Sequence, residues 1–283
     1  MRSNQLSYPP ETNIIPQKYR KRTDKYMRII RFTTSDLSPR YGWLLEDQVG
    51  QIDGDPFGAY RRLDPDIPID LVKLLPPAQP GKIICVGRNY EAHVKEFDNQ
   101  VSEIPTLFLK PGSSLIGPGE PIVLPAQSKQ VQHEAELAVV IGKRGRWIQP
   151  EAAMDHVFGY TIADDVTARD LQRSDVQWTR GKGFDTFCPL GPWIETDFDP
   201  ADSLITCHVG DELRQMASTR DMLFTTPQLI TFISSVMTLE PGDLILTGTP
   251  AGVGDLMDGN SVSITIEELG TLTNPVISEA RLT

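Results

Sequence analysis

The segment HEAELAVVIG at residues 133–142 constrains this chain more than any other. Residues two apart on a β-strand point to the same face, so Glu134 and Glu136 project side by side, roughly 7 Å apart along the chain. The continuation AVVIG is apolar on both faces, the pattern of a strand covered on both sides. Two carboxylates at the mouth of such a strand cannot stay ionised alone, because desolvation costs several kcal/mol per charge. They need cations, or one must hold a proton. The competing reading is an edge strand whose two glutamates face solvent, and the doubly apolar continuation argues against it. A second apolar strand, in YTIADDVTARD (160–170), ends in Asp164 and Asp165, and either one can close a three-carboxylate site. Oxygen ligands with no neighbouring thiolate or imidazole pair favour Mg²⁺ or Mn²⁺ over zinc.

Around these two strands the chain carries further short runs rich in β-branched residues. They are IICVG (83–87), TLFLK (106–110), PIVLP (121–125), LITCHV (204–209), DLILTG (243–248) and SVSITIEEL (261–269), mostly bounded by Gly, Pro and Asp. Helical spacing is rarer. One helix is expected over Pro227 to about Met237, with Thr226 as its cap and Pro227 at the first helical position. A short one is expected within NYEAHVKEF (89–97). The fold class is therefore mainly β with few helices, its sheet closed or sandwiched. A polar extension occupies residues 1–26 and a small strand-rich unit residues 27–76. The proline-rich LLPPAQPGK (74–82) leads into the main domain over 77–283.

The net charge of −11 repels a phosphate backbone, and no basic stripe interleaved with aromatics appears, so nucleic acid is not an expected partner. An anionic substrate then requires local positive charge, which a bound cation can supply. No apolar run approaches the roughly 18 residues of a spanning helix, and no secretory leader is expected at the N-terminus. Cys85, Cys188 and Cys207 are few, far apart and odd in number. That usage fits a reducing compartment, so a cytoplasmic location is expected.

Several other residues qualify as chemistry or as background. His93 and Glu96 are three apart, so on a helix they are neighbours, and the glutamate can orient the imidazole for proton abstraction from water. The alternative is a surface His beside a surface Glu. Lys182 lies between two glycines in TRGKGFDTF, where a lysine reaches an anion or is simply solvated. Cys207 and His208 are adjacent on a strand and point opposite ways, so they cannot form a dyad together. Cys188 and His156 read as structural. The loop LTGTPAGVGD (246–255) lacks the Gly-Lys-Ser/Thr ending of a P-loop, although its backbone can approach a ligand closely.

Taken together, ICVGRNYEAHVKE, LFLKPGSSLIGPGEPIVLP, HEAELAVVIG, GYTIADDVTARDLQ, QWTRGKGFDTFCPLGPWI, LEPGDLILTGTPAGVG and GTLTNPV, in that order over about residues 81–277, resemble the fumarylacetoacetate hydrolase family. The resemblance implies a mixed β-sandwich roll of that family's C-terminal domain type, a homodimer, and one Mg²⁺ or Mn²⁺ per subunit. It places the metal carboxylates on Glu134, Glu136 and Asp165, and so chooses Asp165 over Asp164. It places the water-activating pair on His93 and Glu96, the catalytic lysine on Lys182, and substrate contacts on Gln172, Thr249 and Arg169. The extension over 1–26 departs from the family's usual start, and Gly183 stands where many relatives carry Ser.

The implied reaction begins with a small 2-oxo acid chelated to the cation through its carboxylate and keto oxygen, which stabilises an enolate at C3. In an acylpyruvate-type 2,4-dioxo acid, hydroxide generated by His93 attacks the 4-oxo carbon, Lys182 stabilises the oxyanion, and the C3–C4 bond breaks. The same enolate logic serves 2-hydroxyhepta-2,4-diene-1,7-dioate isomerase/decarboxylase or oxaloacetate decarboxylase activity, but the presence of His93 and Glu96 favours hydrolysis. A reading of another class is a non-catalytic protein that keeps the metal site to bind a ligand; turnover of any 2-oxo acid separates the two.

Overall fold

The computed structural model of the chain describes residues 27–97 and 100–282. The extension expected over 1–26 lies outside the described residues. Strands dominate, as the runs of β-branched residues predict. At the centre of a twelve-stranded mixed sheet, Cys188–Glu195, Val157–Asp164, Ala135–Ile141, Leu244–Leu246, Ile83–Gly87 and Thr106–Lys110 are hydrogen-bonded in that order. Each of these pairings is antiparallel except Leu244–Leu246 with Ile83–Gly87, which is parallel. All seven residues of Ala135–Ile141 are buried, as its two apolar faces require. Burying Leu137, Val139, Val140 and Ile141 contributes about 6–12 kcal/mol, at about 1.5–3 kcal/mol for each side chain. Desolvating two unpaired carboxylates, at several kcal/mol each, would consume most of that gain, so the glutamates at the strand's mouth need partners.

The strands Arg28–Thr33, Arg40–Leu45, Gln48–Gly54 and Tyr60–Pro68 form an antiparallel meander. Arg28–Thr33 also pairs with Cys188–Glu195, so the N-terminal strands extend the large sheet. They keep a small core of their own, Ile30, Phe32, Leu44 and Val49.

A five-stranded sheet lies across the large one, in the order Glu212–Ser218, Leu204–Val209, Ser261–Ile266, Gly270–Ser278, Ile122–Leu124. Ser261–Ile266 alternates half-buried and buried residues, which gives it one inward face. Ile205, Ile264, Ile266 and Leu272 from this sheet share one core with Leu137, Val139, Ile141 and Ile162 from the large sheet. The helix Thr226–Val236 adds Leu229, Ile230 and Ile233 to that core. Its start differs by one residue from the sequence expectation. Thr225, not Thr226, is the cap, because Gln228 three residues on reaches back to accept the Thr225 N–H at 2.8 Å.

Candidate active site

Two neighbouring strand ends make the site. Ala135 pairs with Asp164 and Glu136 with Ala163, so the entry to one strand lies against the exit of the other. The Asp165 N–H donates to the Glu134 carbonyl at 2.9 Å and fixes the bend beyond the second strand. One carboxylate oxygen from each of Glu134, Glu136 and Asp165 lies within 4.8 Å of the other two. The three residues are 4%, 1% and 1% exposed, which rules out the solvated edge strand. Asp164 serves otherwise: its Oδ1 accepts the Glu134 N–H at 2.8 Å and ties the two strand ends together. Burial pushes its carboxyl up to about 7.

Buried cations surround the cluster. Lys182 Nζ donates to Glu134 Oε2 at 2.8 Å and to Asp165 Oδ2 at 2.6 Å. Lys110 Nζ donates to Asp165 Oδ1 at 2.6 Å and to the Val166 carbonyl at 3.1 Å. Arg169 Nη2 donates to Glu134 Oε1. Burial alone would raise the Glu134 carboxyl, but Lys182 and Arg169 beside it hold it well below the usual carboxylate range. Burial equally disfavours the Lys182 ammonium, yet the Asp165 and Glu134 carboxylates outweigh it and keep the ammonium charged.

Glu136 is the exception. Its one hydrogen bond among the described residues comes from the Gly248 N–H, at 2.7 Å to Oε2. Burial, with the Asp165 and Glu134 carboxylates next in size, pushes its carboxyl well above the usual range. Gly248 is needed at that point: its φ is +98°, and a Cβ there would stand 2.7 Å from the Asn89 Cβ. A buried carboxyl with no ion pair among the described residues, grouped with two others of an all-oxygen set, fits a hard divalent cation. Oxygens up to 4.8 Å apart can share ligand bonds of about 2.0–2.6 Å.

His93 and Glu96 meet on the helix Glu91–Glu96. His93 Nδ1 lies 3.0 Å from Glu96 Oε2, and Glu96 Oε1 accepts the Gly252 N–H at 3.1 Å, which joins the helix to the glycine-rich loop. His93 is buried and its ring meets Phe97 edge-on at 5.1 Å. His93, Glu134, Glu136, Asp165, Arg169, Gln172, Lys182 and Thr249 line one cavity of about 280 Å³, and Glu96 stands behind His93. Thr249 Oγ1 donates to the Ala135 carbonyl and accepts from Gln215 Nε2. Arg169 reaches the cavity with one N–H on each nitrogen engaged, Nε with Gln132, Nη1 with Gln172 and Nη2 with Glu134. Each of Nη1 and Nη2 carries a second N–H. Arg169 braces Glu134 in this structure.

Sequence reasoning singled out neither Lys110, buried against Asp165, nor Arg88, Arg173, Phe108 and Trp178, which line the cavity. For Lys110 a signal existed, since it is a charged residue closing the apolar strand TLFLK, just as Asp164 and Asp165 close theirs. Of the two residues read as structural, Cys188 is a buried thiol, while His156 is more exposed and holds its Nδ1 2.9 Å from the Lys143 carbonyl.

Residues 82–277 match the family described as Fumarylacetoacetate (FAA) hydrolase C-terminal, and residues 27–77 match Rv2993c-like, N-terminal. The chain belongs to the fumarylacetoacetate hydrolase family. Like the members found beside it, it is an enzyme. It is 46% identical over 233 residues to the mitochondrial oxaloacetate tautomerase FAHD2B of Bos taurus, covering 77% of this chain and 74% of that one. Among solved structures it resembles a 2-hydroxyhepta-2,4-diene-1,7-dioate isomerase from Mycobacterium marinum. There the TM-score is 0.82, the identity 44%, and the coverage 89% of this chain and 99% of that one. It also resembles a maleylpyruvate hydrolase from Sphingobium sp. SYK-6, solved in complex with manganese(II) and pyruvate. That match has a TM-score of 0.74 at 36% identity and covers 89% and 99%.

Proposed function

We propose that the enzyme is a Mg²⁺- or Mn²⁺-dependent hydrolase that cleaves the C3–C4 bond of an acylpyruvate-type 2,4-dioxo acid. The observation that carries this reading is Glu136, a buried carboxyl with no ion pair among the described residues, beside Glu134 and Asp165. The manganese and pyruvate bound by the Sphingobium hydrolase support it. Glu134, Glu136 and Asp165 would hold a divalent cation, which would supply Lewis-acid polarisation of a 2-oxo carboxylate. The chain's own charges prepare the cavity for an anion. Glu134 and Asp165 already pair with Lys110, Lys182 and Arg169, whose three charges balance those of the three carboxylates, so a divalent cation would leave the site positive.

The remaining work falls to side chains. His93, oriented through Nδ1 by Glu96, takes a proton from water, and the hydroxide adds to the 4-oxo carbon. Lys182, kept charged by Asp165 and Glu134, stabilises the oxyanion that develops there. When the C3–C4 bond breaks, its electron pair stays on C3, and protonated His93 returns the proton to give pyruvate and a carboxylic acid. Gln172 and Thr249 hold the substrate's polar groups. A homodimer is proposed on family resemblance.

A second reading is proton transfer alone, as in tautomerisation or decarboxylation of oxaloacetate or isomerisation of a dienedioate. It is favoured by the 46% identity to an oxaloacetate tautomerase. A panel of acetylpyruvate, fumarylpyruvate, oxaloacetate and a dienedioate, with Mg²⁺, Mn²⁺ or chelator, tests both. Metal-dependent release of pyruvate from the acylpyruvates is expected. Turnover of oxaloacetate with none of any acylpyruvate transfers the assignment to the second reading.

A further inference from the structure

The strand Glu212–Ser218 runs along the edge of the five-stranded sheet, and Gln215 is its one buried residue. The side-chain amide of a glutamine offers two acceptor and two donor directions, and here all four are used. Oε1 accepts the Ala135 N–H at 3.1 Å and lies 3.0 Å from His133 Nδ1. Nε2 donates to Thr249 Oγ1 and to the Pro250 carbonyl, both at 2.8 Å. These partners fix which way the amide points, because a backbone N–H only donates and a carbonyl only accepts. His133 Nδ1 must then carry the hydrogen that meets Oε1.

The amide joins two parts of the site. Ala135 stands between Glu134 and Glu136; its N–H goes to Gln215, and its carbonyl accepts the Thr249 hydroxyl at 2.9 Å. Thr249 thus donates to Ala135 and accepts from Gln215, which leaves its oxygen one lone pair for the cavity it lines. Thr249 and Pro250 lie in the glycine-rich loop between its contacts with two acidic side chains. The Gly248 N–H meets Glu136 Oε2 at 2.7 Å, and the Gly252 N–H meets Glu96 Oε1 at 3.1 Å. Gly252 is pressed against the strand that carries Gln215: its φ is +100°, and a Cβ there would collide with the Arg214 carbonyl.

We infer that Gln215 is a positioning residue for the reaction: its amide clamps the glycine-rich loop to the carboxylate strand, and so sets where Thr249 meets the cavity and where Gly252 holds Glu96. This rests on the reading of His93 and Glu96 as the acid/base pair, and adds the element that keeps the pair aligned with the three carboxylates. The loop's other ties lie to either side. The Gly248 N–H on Glu136 comes before this stretch, and the His133 N–H, which donates to the Gly254 carbonyl at 3.3 Å, comes after it. Between them Pro250 is held by Gln215, and Thr249 by Gln215 and Ala135. Glycines leave a backbone free to wander, whereas a buried amide with every direction satisfied favours one arrangement of its neighbours.

Gln215→Met keeps the length of the side chain and removes all four hydrogen bonds. The test is kcat at saturating Mn²⁺ for whichever 2-oxo acid the wild type turns over, in variants shown by circular dichroism to be folded. Alone, the replacement should lower kcat about 10–100-fold, the range for two buried hydrogen bonds lost to the loop. Made together with Glu96→Gln, it should cost a several-fold smaller factor, because both changes disturb one contact with His93 and their effects do not multiply. A residue that only stabilises the fold costs the same factor in both backgrounds. If Gln215→Met does not fold, Gln215→Asn takes its place: one methylene shorter, it reaches the strand or the loop but not both, and the same pattern is expected. A folded variant with wild-type kcat overturns the inference, and so does an undiminished factor beside Glu96→Gln; either result leaves the 2-oxo acid reading standing. A wild type that turns over no 2-oxo acid overturns that reading, and this inference with it.

Discussion

Replacing His93 by alanine and Glu96 by glutamine separates the two parts of the acid/base pair. His93 Nδ1 is taken up by Glu96 at 3.0 Å, which leaves Nε2 as the nitrogen that receives the proton. Alanine removes the base, and kcat for acetylpyruvate cleavage should fall about 10²–10⁴-fold. Glu96→Gln keeps the shape and can still accept the Gly252 N–H, but loses the negative charge that steadies a protonated imidazole. A hydrogen bond to a charged group contributes about 1.5–3 kcal/mol. At about 1.36 kcal/mol per factor of ten this predicts a loss of roughly 10–100-fold, milder than for alanine at position 93. Metal affinity should be nearly unchanged in both, because neither residue is among the three clustered carboxylates. Oxaloacetate decarboxylation needs no attacking hydroxide, so both variants should lose less of that activity. The assay is steady-state kcat for both substrates at saturating Mg²⁺, with Glu136→Ala as the control that depresses both. If His93→Ala cleaves acetylpyruvate at the wild-type rate while Glu136→Ala does not, the base lies elsewhere.

Gly248→Ala should weaken Mn²⁺ binding tenfold or more on the same energy scale, because a Cβ cannot fit 2.7 Å from the Asn89 Cβ and the Gly248 N–H must leave Glu136. An unchanged Mn²⁺ titration would show that this hydrogen bond does not organise the site. Glu120 accepts Lys73 Nζ at 2.7 Å and the Gly117 N–H at 2.8 Å, and these partners outweigh burial and hold its carboxyl below the ordinary 4.5. A lowered carboxyl stabilises the folded state above its unfolded value and ceases to as the pH falls through the folded one. Glu120→Gln should therefore lower Tm near neutral pH, by a contribution of about 1 kcal/mol or less for so exposed a pair, and leave it unaltered in strong acid. A Tm difference that does not change with pH would contradict this.

The carboxylate pair was legible because it obeys a local rule. Period two puts Glu134 and Glu136 on one face, and the apolar continuation marks the strand as buried. The choice between Asp164 and Asp165 was not local. It depends on the bend fixed by Asp165 N–H on the Glu134 carbonyl, which no spacing within 160–170 reveals, and the family resemblance decided it. Lys110 stayed hidden for a related reason: its partner Asp165 is 55 residues away, and a strand's sequence does not say which other strand end it meets. Arg88 is further from sequence reach, since its left-handed backbone is imposed by Asn89 binding a carbonyl 158 residues along the chain. The strands were readable because alternation and β-branching are written into each segment, whereas the helix cap slipped by one residue between two adjacent threonines.

The most direct test of the central claim is the location and stoichiometry of Mn²⁺. Crystals of the enzyme grown with Mn²⁺, examined by anomalous scattering alongside a solution titration, should show one ion per chain. Oxygens of Glu134, Glu136 and Asp165 should lie about 2.0–2.6 Å from it, and Glu136→Gln should weaken its binding. No binding in solution, or an ion seated away from these three carboxylates, contradicts the account.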